Sequence, residues 1–364
     1  MRITTQDRNK MKMTKNITGI QQIGVGVTDV HEAFKWYRKN FGFDIRIFED
    51  DKEVTLMLPY TGGKTWKRHA VLAMNLNGGG GLEIWQYKDR TPQPASFNIQ
   101  LGDLGVFCTK IKTTDVQKTF NEYQEKKLNL VSGVMKDPSG APHFFVKDPY
   151  GNLFQYTGET EWFGSSAYMK GGVAGLMIGV SDIEKAKKLY GGILGYHEVV
   201  YDKEGIFDDL KDLPAGKNTV RRVLLKHKPN RSGGFARLLG STKIELIKTV
   251  DRTPQKIYEN RFWGDPGFIH VCFDVIGMEH LKAECEAGGF PFRVDSANSF
   301  DMGEAAGHFS YIEDADGTLI EFVETHKVPI LKKLGIYLNL RKRNPEKNLP
   351  DWMVKTLSMN RVKD

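Results

Sequence analysis

The sequence predicts an α+β fold built from four strand–helix–strand–strand–strand modules grouped as two pairs. Three observations carry that prediction. Asp-Arg-Thr-Pro-Gln occurs twice, at 89–93 and 251–255, each time six residues after a glutamate (Glu83, Glu245) that stands second in an apolar stretch. Two apolar runs end in Val-Thr-Asp (27–29) and Val-Ser-Asp (180–182) and lead into helical patterns. Two turns, DPYG (148–151) and DADG (314–317), precede further strand-like runs. Self-similarity at a long, nearly constant offset is the mark of a duplicated unit.

In chain order, the first module opens with IQQIGVGVTD (20–29), a strand followed by a helix. Asp29 is placed to cap that helix, with Glu32 at the capping-box spacing. Val30, Ala33, Phe34, Tyr37 and Phe41 share one face of a 3.6-residue period, and Gly42 stops the helix by taking the left-handed conformation. The run NGGGGLE (77–83) reads as a Gly-rich hairpin before the last strand; lacking Lys-Ser/Thr and a following helix, it is not a phosphate loop. The second module runs from LGDLGVFCTKI (101–111) through a Glu/Lys-rich helix to DPYGNLFQY (148–156). The third, VAGLMIGVSD (173–182), repeats the first, with Gly195 matching Gly42. The fourth runs from GFIHVCFDVIG (267–277) to DADGTLIEF (314–322), with Gly317 matching Gly151 in a tight turn of positive φ. The expected boundaries are an N-terminal arm at 1–16, a first domain at 17–160 (modules 1 and 2), a turn-rich linker at 161–172, a second domain at 173–326 (modules 3 and 4) and a basic extension at 327–364.

Composition narrows the class. With 40% apolar and 27% charged residues the chain reads as an ordinary globular protein. No apolar run reaches the roughly 18 residues of a membrane span, and the basic start lacks the apolar segment of a secretory signal, so the expectation is cytoplasmic with no membrane contact. Cys108, Cys272 and Cys285 form no CxxC pair and fit buried thiols in a reducing compartment. Residues 327–364 hold ten Lys and Arg against three Asp and Glu, which accounts for the whole net charge of +7. No stacking platform or recognition motif accompanies that charge, so nucleic acid is not the expected partner. Trp352, Met353 and Leu357 fit one helical face that docks on the parent domain or on a twin subunit, which leaves a homodimer open.

The modules, their "GVxxVxD"-like first strands and their closing "DPxGxxxE"-like hairpins resemble the vicinal oxygen chelate superfamily, which includes glyoxalase I, extradiol dioxygenases and bleomycin resistance proteins. The likeness covers about 17–326. It implies two glyoxalase/dioxygenase-like domains, each a cup of curled mixed β-sheet, with metal ligands on the first and last strands of each module. Carried over residue by residue, it assigns Gly175, Glu245, His270 and Glu321 to the second domain. It therefore implies one divalent ion (Zn, Ni, Mn or Fe) on Glu245, His270 and Glu321, with Glu321 also the catalytic proton carrier. In the first domain the same positions give Gln22, Glu83, Asp103 and Gln155, either a decayed site or an all-oxygen site for Ca²⁺ or Mg²⁺. Read alone, Glu245 suits the outer side of an alternating strand, and His270 suits a hydrogen-bonded core histidine. Glu321, between Ile320 and Phe322, is the strongest single candidate, because an unpaired buried carboxylate is costly. His308 and His143, before the closing hairpins, fit either an acid–base group in a cup or a solvent-facing residue.

The resemblance implies a metal-dependent lyase or isomerase that acts on a small oxygenated substrate and stabilises an enediolate-like anion. The alternatives are an extradiol-type ring-cleaving dioxygenase, whose family pattern has a histidine where Gly175 stands, and a metal-free small-molecule binding or resistance protein.

Overall fold

The computed structural model describes residues 15–227, 231–297, 300–301, 306–331 and 336–363, so nearly all of the expected arm at 1–16 lies outside the described residues. Module 1 comprises β1 (Asn16–Gly26), α1 (Val30–Phe41), β2 (Ile45–Glu53), β3 (Lys67–Met74) and β4 (Gly81–Tyr87). Module 2 comprises β5 (Gly105–Thr113), α2 (Val116–Glu125), β6 (Pro142–Lys147) and β7 (Leu153–Gly158), plus two-residue strands. Module 3 comprises β8 (Lys170–Gly179), α3 (Ile183–Lys187), β9 (Glu198–Gly205), β10 (Val220–Lys226) and β11 (Lys243–Thr249). Module 4 comprises β12 (Gly267–Ile276), α4 (Met278–Ala287), β13 (Ala306–Glu313) and β14 (Leu319–Leu331).

Local features match the sequence. Asp29 accepts from the backbone N–H of His31 and Glu32, and Gly42 ends α1 at φ 79°. The five apolar residues expected on one face of α1 are all buried. The turn glycines Gly151 and Gly317 stand at φ 85° and 91°, and the three cysteines are free and buried.

The pairing of modules differs from the expected split at 161–172. One curled sheet runs β13–β14–β12–β1–β4–β3–β2, joining modules 4 and 1; the other runs β9–β10–β11–β8–β5–β7–β6, joining modules 3 and 2. The seams are antiparallel contacts between first strands: β1 with β12, from Asn16↔Ile276 to Gly26↔Gly267, and β8 with β5. We call these the outer cup (modules 1 and 4) and the inner cup (modules 2 and 3).

The twin pentapeptides explain why this pairing holds. Arg90 Nη1 lies 2.5 Å from Asp265 Oδ1, which also accepts from Gln93 N at 2.9 Å. In the other copy, Arg252 Nη1 lies 2.6 Å from Asp103 Oδ1, which also accepts from Gln255 N at 3.0 Å. Each pentapeptide therefore clamps the aspartate at the start of its partner module, and in each case the partner is the cross-paired one. Glycine makes the approach possible. A Cβ on Gly26 would lie 2.1 Å from Asp265 O, and one on the equivalent Gly179 would lie 1.8 Å from Asp103 O.

Sequence-adjacent modules meet through helices instead. Tyr37 on α1 donates to Asp148 in the module 2 turn, and Tyr190, just after α3, donates to Asp314 in the module 4 turn at 2.9 Å. One continuous apolar cluster, from Ile20 and Phe41 through Tyr156 and Leu176 to Phe322, joins all four modules.

The tail packs on its own chain. Leu349 and Val354 are buried against Ile45, Met74, Leu238 and Leu239, and Arg361 pairs with Asp44. Of the expected apolar face, Met353 and Leu357 pack against that cluster beside Val354, whereas Trp352 is 61% exposed. The helix here spans only Asp351–Lys355, too short for a full helical stripe. Among the described residues no helix is long and apolar enough to cross a membrane.

Candidate metal centre

In the outer cup, central strand β1 is flanked by β4 in parallel and β12 antiparallel, with Gly24 opposite both Glu83 and His270. β14 runs parallel to β12 and sets Glu321 opposite Cys272. This register brings four polar side chains to one point. His270 Nε2 lies 3.2 Å from Glu321 Oε2 and 3.5 Å from Glu83 Oε2. Gln22 Nε2 lies 3.3 Å from Glu83 Oε2 and 3.5 Å from Glu321 Oε2. One ligand atom each from Glu83, His270 and Glu321 falls within 4.8 Å of the others. Gly24 leaves room for the ring, since a Cβ there would lie 2.5 Å from His270 Cε1.

Electrostatics fit a cation at that point. His270 is fully buried, yet neither ring nitrogen has a hydrogen-bond partner of proper geometry, and Gln22 Oε1 is likewise buried without one. Orphaned buried donors and acceptors are rare and call for an explanation. Burial pushes the His270 imidazole pKa down, but the Glu321 and Glu83 carboxylates outweigh it and raise it to about 9. One imidazole and two carboxylates, joined by the Gln22 oxygen when its amide turns over, form a set of nitrogen and oxygen donors that suits a divalent cation and whose two negative charges such an ion neutralises. The residues therefore fit the metal implied by the sequence. Aromatic side chains wall the site: Trp263 stacks on His270 with centroids 6.2 Å apart, Tyr311 meets its edge at 5.5 Å, and Trp85 packs on Trp263.

Of the expected triad, His270 and Glu321 come together and Glu245 does not join them. Glu245 belongs to the inner cup, fully buried, where its carboxylate contacts Lys110 Nζ at 2.7 Å, Arg222 Nε at 2.8 Å and Tyr201 Oη at 2.8 Å. Burial pushes its pKa up, but Arg222 and Lys110 prevail and hold it far below the usual carboxylate range. Lys110 also donates to Gln155. An ammonium thus stands between the two residues that correspond to Glu83 and Glu321, so the inner cup carries an internal cation. Gly175 fills the first-strand position, pressed against the Lys243 backbone.

The four polar residues assigned to the first domain are also redistributed. Gln22 and Glu83 serve the outer cup and Gln155 the inner one. Asp103 is a clamp residue rather than a ligand. The register pairs Lys110 with Gln155 as it pairs Cys272 with Glu321, so Cys108 is the true counterpart of His270. His308 is buried and bonded to Asp295 at 2.6 Å, away from the donor cluster. His143 is buried in the inner cup near Asp209 at 3.6 Å, and burial lowers its pKa. Sequence reasoning missed Gln22 and Glu83 as partners of His270. Their trace was there: module 3 offers His270 and Glu321 a glycine, Gly175, at the first-strand position, whereas module 1 offers Gln22 and Glu83.

Comparison with known proteins agrees with this architecture. Two models of the Glyoxalase/Bleomycin resistance protein/Dioxygenase superfamily match residues 19–156 and 176–308. Among solved structures, glyoxalase I from Zea mays is similar with a TM-score of 0.53 at 16% identity, covering 85% of this chain and 92% of that one. A putative dioxygenase from Bacillus subtilis is similar with a TM-score of 0.54 at 13% identity, covering 96% of this chain and 98% of that one. At such identities the likeness is one of fold. No curated protein matches the chain by sequence.

Proposed function

Because this chain belongs to the Glyoxalase/Bleomycin resistance protein/Dioxygenase superfamily, we propose that its outer cup holds one divalent metal ion on Gln22, Glu83, His270 and Glu321, and that the protein is a glyoxalase-type lyase or isomerase. The observation that carries the reading is the convergence of Glu83, His270 and Glu321 within 4.8 Å around a buried imidazole whose nitrogens make no hydrogen bond of proper geometry. When bound, such an ion supplies a Lewis acid to two adjacent oxygens of a small substrate.

The chain's own groups do the rest. His270, fixed by Trp263 and Tyr311, offers Nε2 as the sole nitrogen donor and moves no proton while it does so. Glu321 is the proton carrier: a carboxylate oxygen takes the proton from the substrate carbon beside a carbonyl and returns it to the neighbouring carbon, while the hydroxyl proton passes to the former carbonyl oxygen, so one C–H and one O–H bond break and one of each forms with no net redox change. Glu83, from the opposite side of the donor set, balances the charge. The aromatic wall of Trp85, Trp263 and Tyr311 excludes water from the carbanion-like species formed on the way. A ring-cleaving dioxygenase is disfavoured by the donors themselves, which include a single histidine and two carboxylates.

The test is metal content together with carbon–hydrogen exchange. One equivalent of metal that survives dialysis is expected in the outer cup of the purified or reloaded protein, and it is lost in His270→Ala. Deuterium exchange at the carbon beside the carbonyl of a 2-hydroxycarbonyl compound should disappear in Glu321→Gln. Oxygen uptake with a catechol, and no such exchange, would move the assignment to the dioxygenase class. Full retention of metal in His270→Ala would defeat the site.

A further inference from the structure

A second donor cluster lies outside both cups, where α1 meets the edge strands β2 and β3. His31 is the second residue of α1, Glu49 is on β2 and His69 is on β3, and one ligand atom from each falls within 4.8 Å of the others. Glu49 Oε1 is the shared focus, 3.1 Å from His69 Nε2 and 3.8 Å from His31 Nδ1. The two imidazole rings sit with centroids 4.8 Å apart, inclined at 52°. Asp51, which faces His69 across the β2–β3 ladder, contacts the other ring nitrogen, Nδ1, at 3.0 Å.

That last contact decides the chemistry. With the Nδ1 proton given to Asp51, the neutral His69 ring carries a lone pair on Nε2, and that lone pair faces an ionised carboxylate. Two acceptors at 3.1 Å need something positive between them. A divalent cation answers that need. Metal-bound imidazoles characteristically hand their second N–H to a carboxylate, which is the part Asp51 plays. The donors are also held ready: the ladder fixes His69 and Glu49, and the Asp29 cap fixes the turn of helix that carries His31.

We propose that His31, Glu49 and His69 form a surface site for a borderline divalent cation of the Zn²⁺, Ni²⁺ or Cu²⁺ class, with Asp51 as a positioning residue. Two imidazoles and one carboxylate select that class over Mg²⁺ or Ca²⁺. The site is open, as the His31 side chain is 69% exposed and that of Glu49 25%, so it exchanges metal readily and binds more weakly than the buried cup. Bound metal clips the start of α1 to the edge of the outer sheet.

The full-length protein, stripped with chelator and reloaded with Zn²⁺ at pH 7.5, tests this by stoichiometry and by NMR of the histidine rings. Two equivalents are expected for the unaltered chain, one for His31→Ala and one for His270→Ala. Asp51→Asn should weaken the surface site about tenfold. Addition of Zn²⁺ to His270→Ala should shift the His31 and His69 ring signals and no others. The proposal is overturned if His31→Ala takes up as much Zn²⁺ as the unaltered chain, or if those two rings do not respond. His31 is exposed, so its loss leaves the fold intact, and far-UV circular dichroism checks that. Failure of the cup reads out separately: the unaltered chain would then bind one equivalent and His31→Ala none.

Discussion

His270 occupies the space that a side chain on Gly24 would need, so the buried imidazole depends on a residue defined by what it lacks. Gly24→Ala would press a methyl group to 2.5 Å from Cε1 of the ring. The ring has to turn away, and metal affinity in the outer cup should fall at least about tenfold, while the sheet itself persists. Metal content after dialysis, together with an unchanged circular dichroism spectrum, checks it. Four residues further along β12, Asp274 shows a different tension. It is buried against Thr18 and Gln21 on β1, and burial raises its pKa to about 7, against the small opposing effect of the Thr18 and Gln21 hydrogen bonds. The folded value lies above the unfolded value of about 3.9. The folded state therefore binds the extra proton between these limits. Its stabilising contribution is complete below about pH 4 and is lost as pH rises through about 7. Asp274→Asn should abolish that decline, which makes the variant the more stable protein at pH 8 in urea unfolding, even if it is not at pH 4.

At the scale of strands, the two cups solve the same charge problem by different means. Glu83 and Glu321 face a buried imidazole and an amide; Glu245 and Gln155 face the Lys110 ammonium and the Arg222 guanidinium. Glu245→Ala would leave two buried cations without their shared anion and should cost about 3–5 kcal/mol. Metal content of the outer cup should stay the same, because Glu245 belongs to the other sheet; unfolding midpoints and elemental analysis separate the two effects. What could be read from sequence follows the same division. Capping by Asp29, the buried face of α1 and the turn glycines are decided within a few residues of chain, and all were legible. His270 and Glu321 were legible through the resemblance, which marks their strand positions; read alone, only Glu321 stands out against its apolar neighbours. The partner of those two was not, since modules 1 and 3 carry the same strand with the same glutamate, and a local pattern holds no information on which copy lies opposite. The Asp103 assignment slipped for a related reason: the strand start is marked by an aspartate in both modules, but the ligand position is five residues further in.

For the molecule as a whole, cross-pairing means that neither sequence half owns a complete cup site. Gln22 and Glu83 come from the first half, His270 and Glu321 from the second. Fragments 1–160 and 161–364 should each lack the dialysis-resistant cup metal when expressed alone, and co-expression should restore about one such equivalent in a copurifying complex. Retention by the second fragment alone would contradict the pairing. The helix contacts of Tyr37 with Asp148 and Tyr190 with Asp314 give the fragments a reason to keep partial structure before they meet. The arrangement is also nested like brackets, the second module closing on the third and the first on the fourth. On a ribosome such a chain shuts from the inside outwards. The ion-paired cup can assemble once β11 has emerged, whereas β1 must wait, its edge open to stray pairing, until the last module is made and β12 arrives. Of the clamp aspartates, Asp265 stands just ahead of β12, the strand that closes the outer cup, whereas Asp103 precedes β5 and waits for the pentapeptide that follows β11. A nascent chain of this protein thus has no complete cup donor set with which to capture metal until β14 has been made.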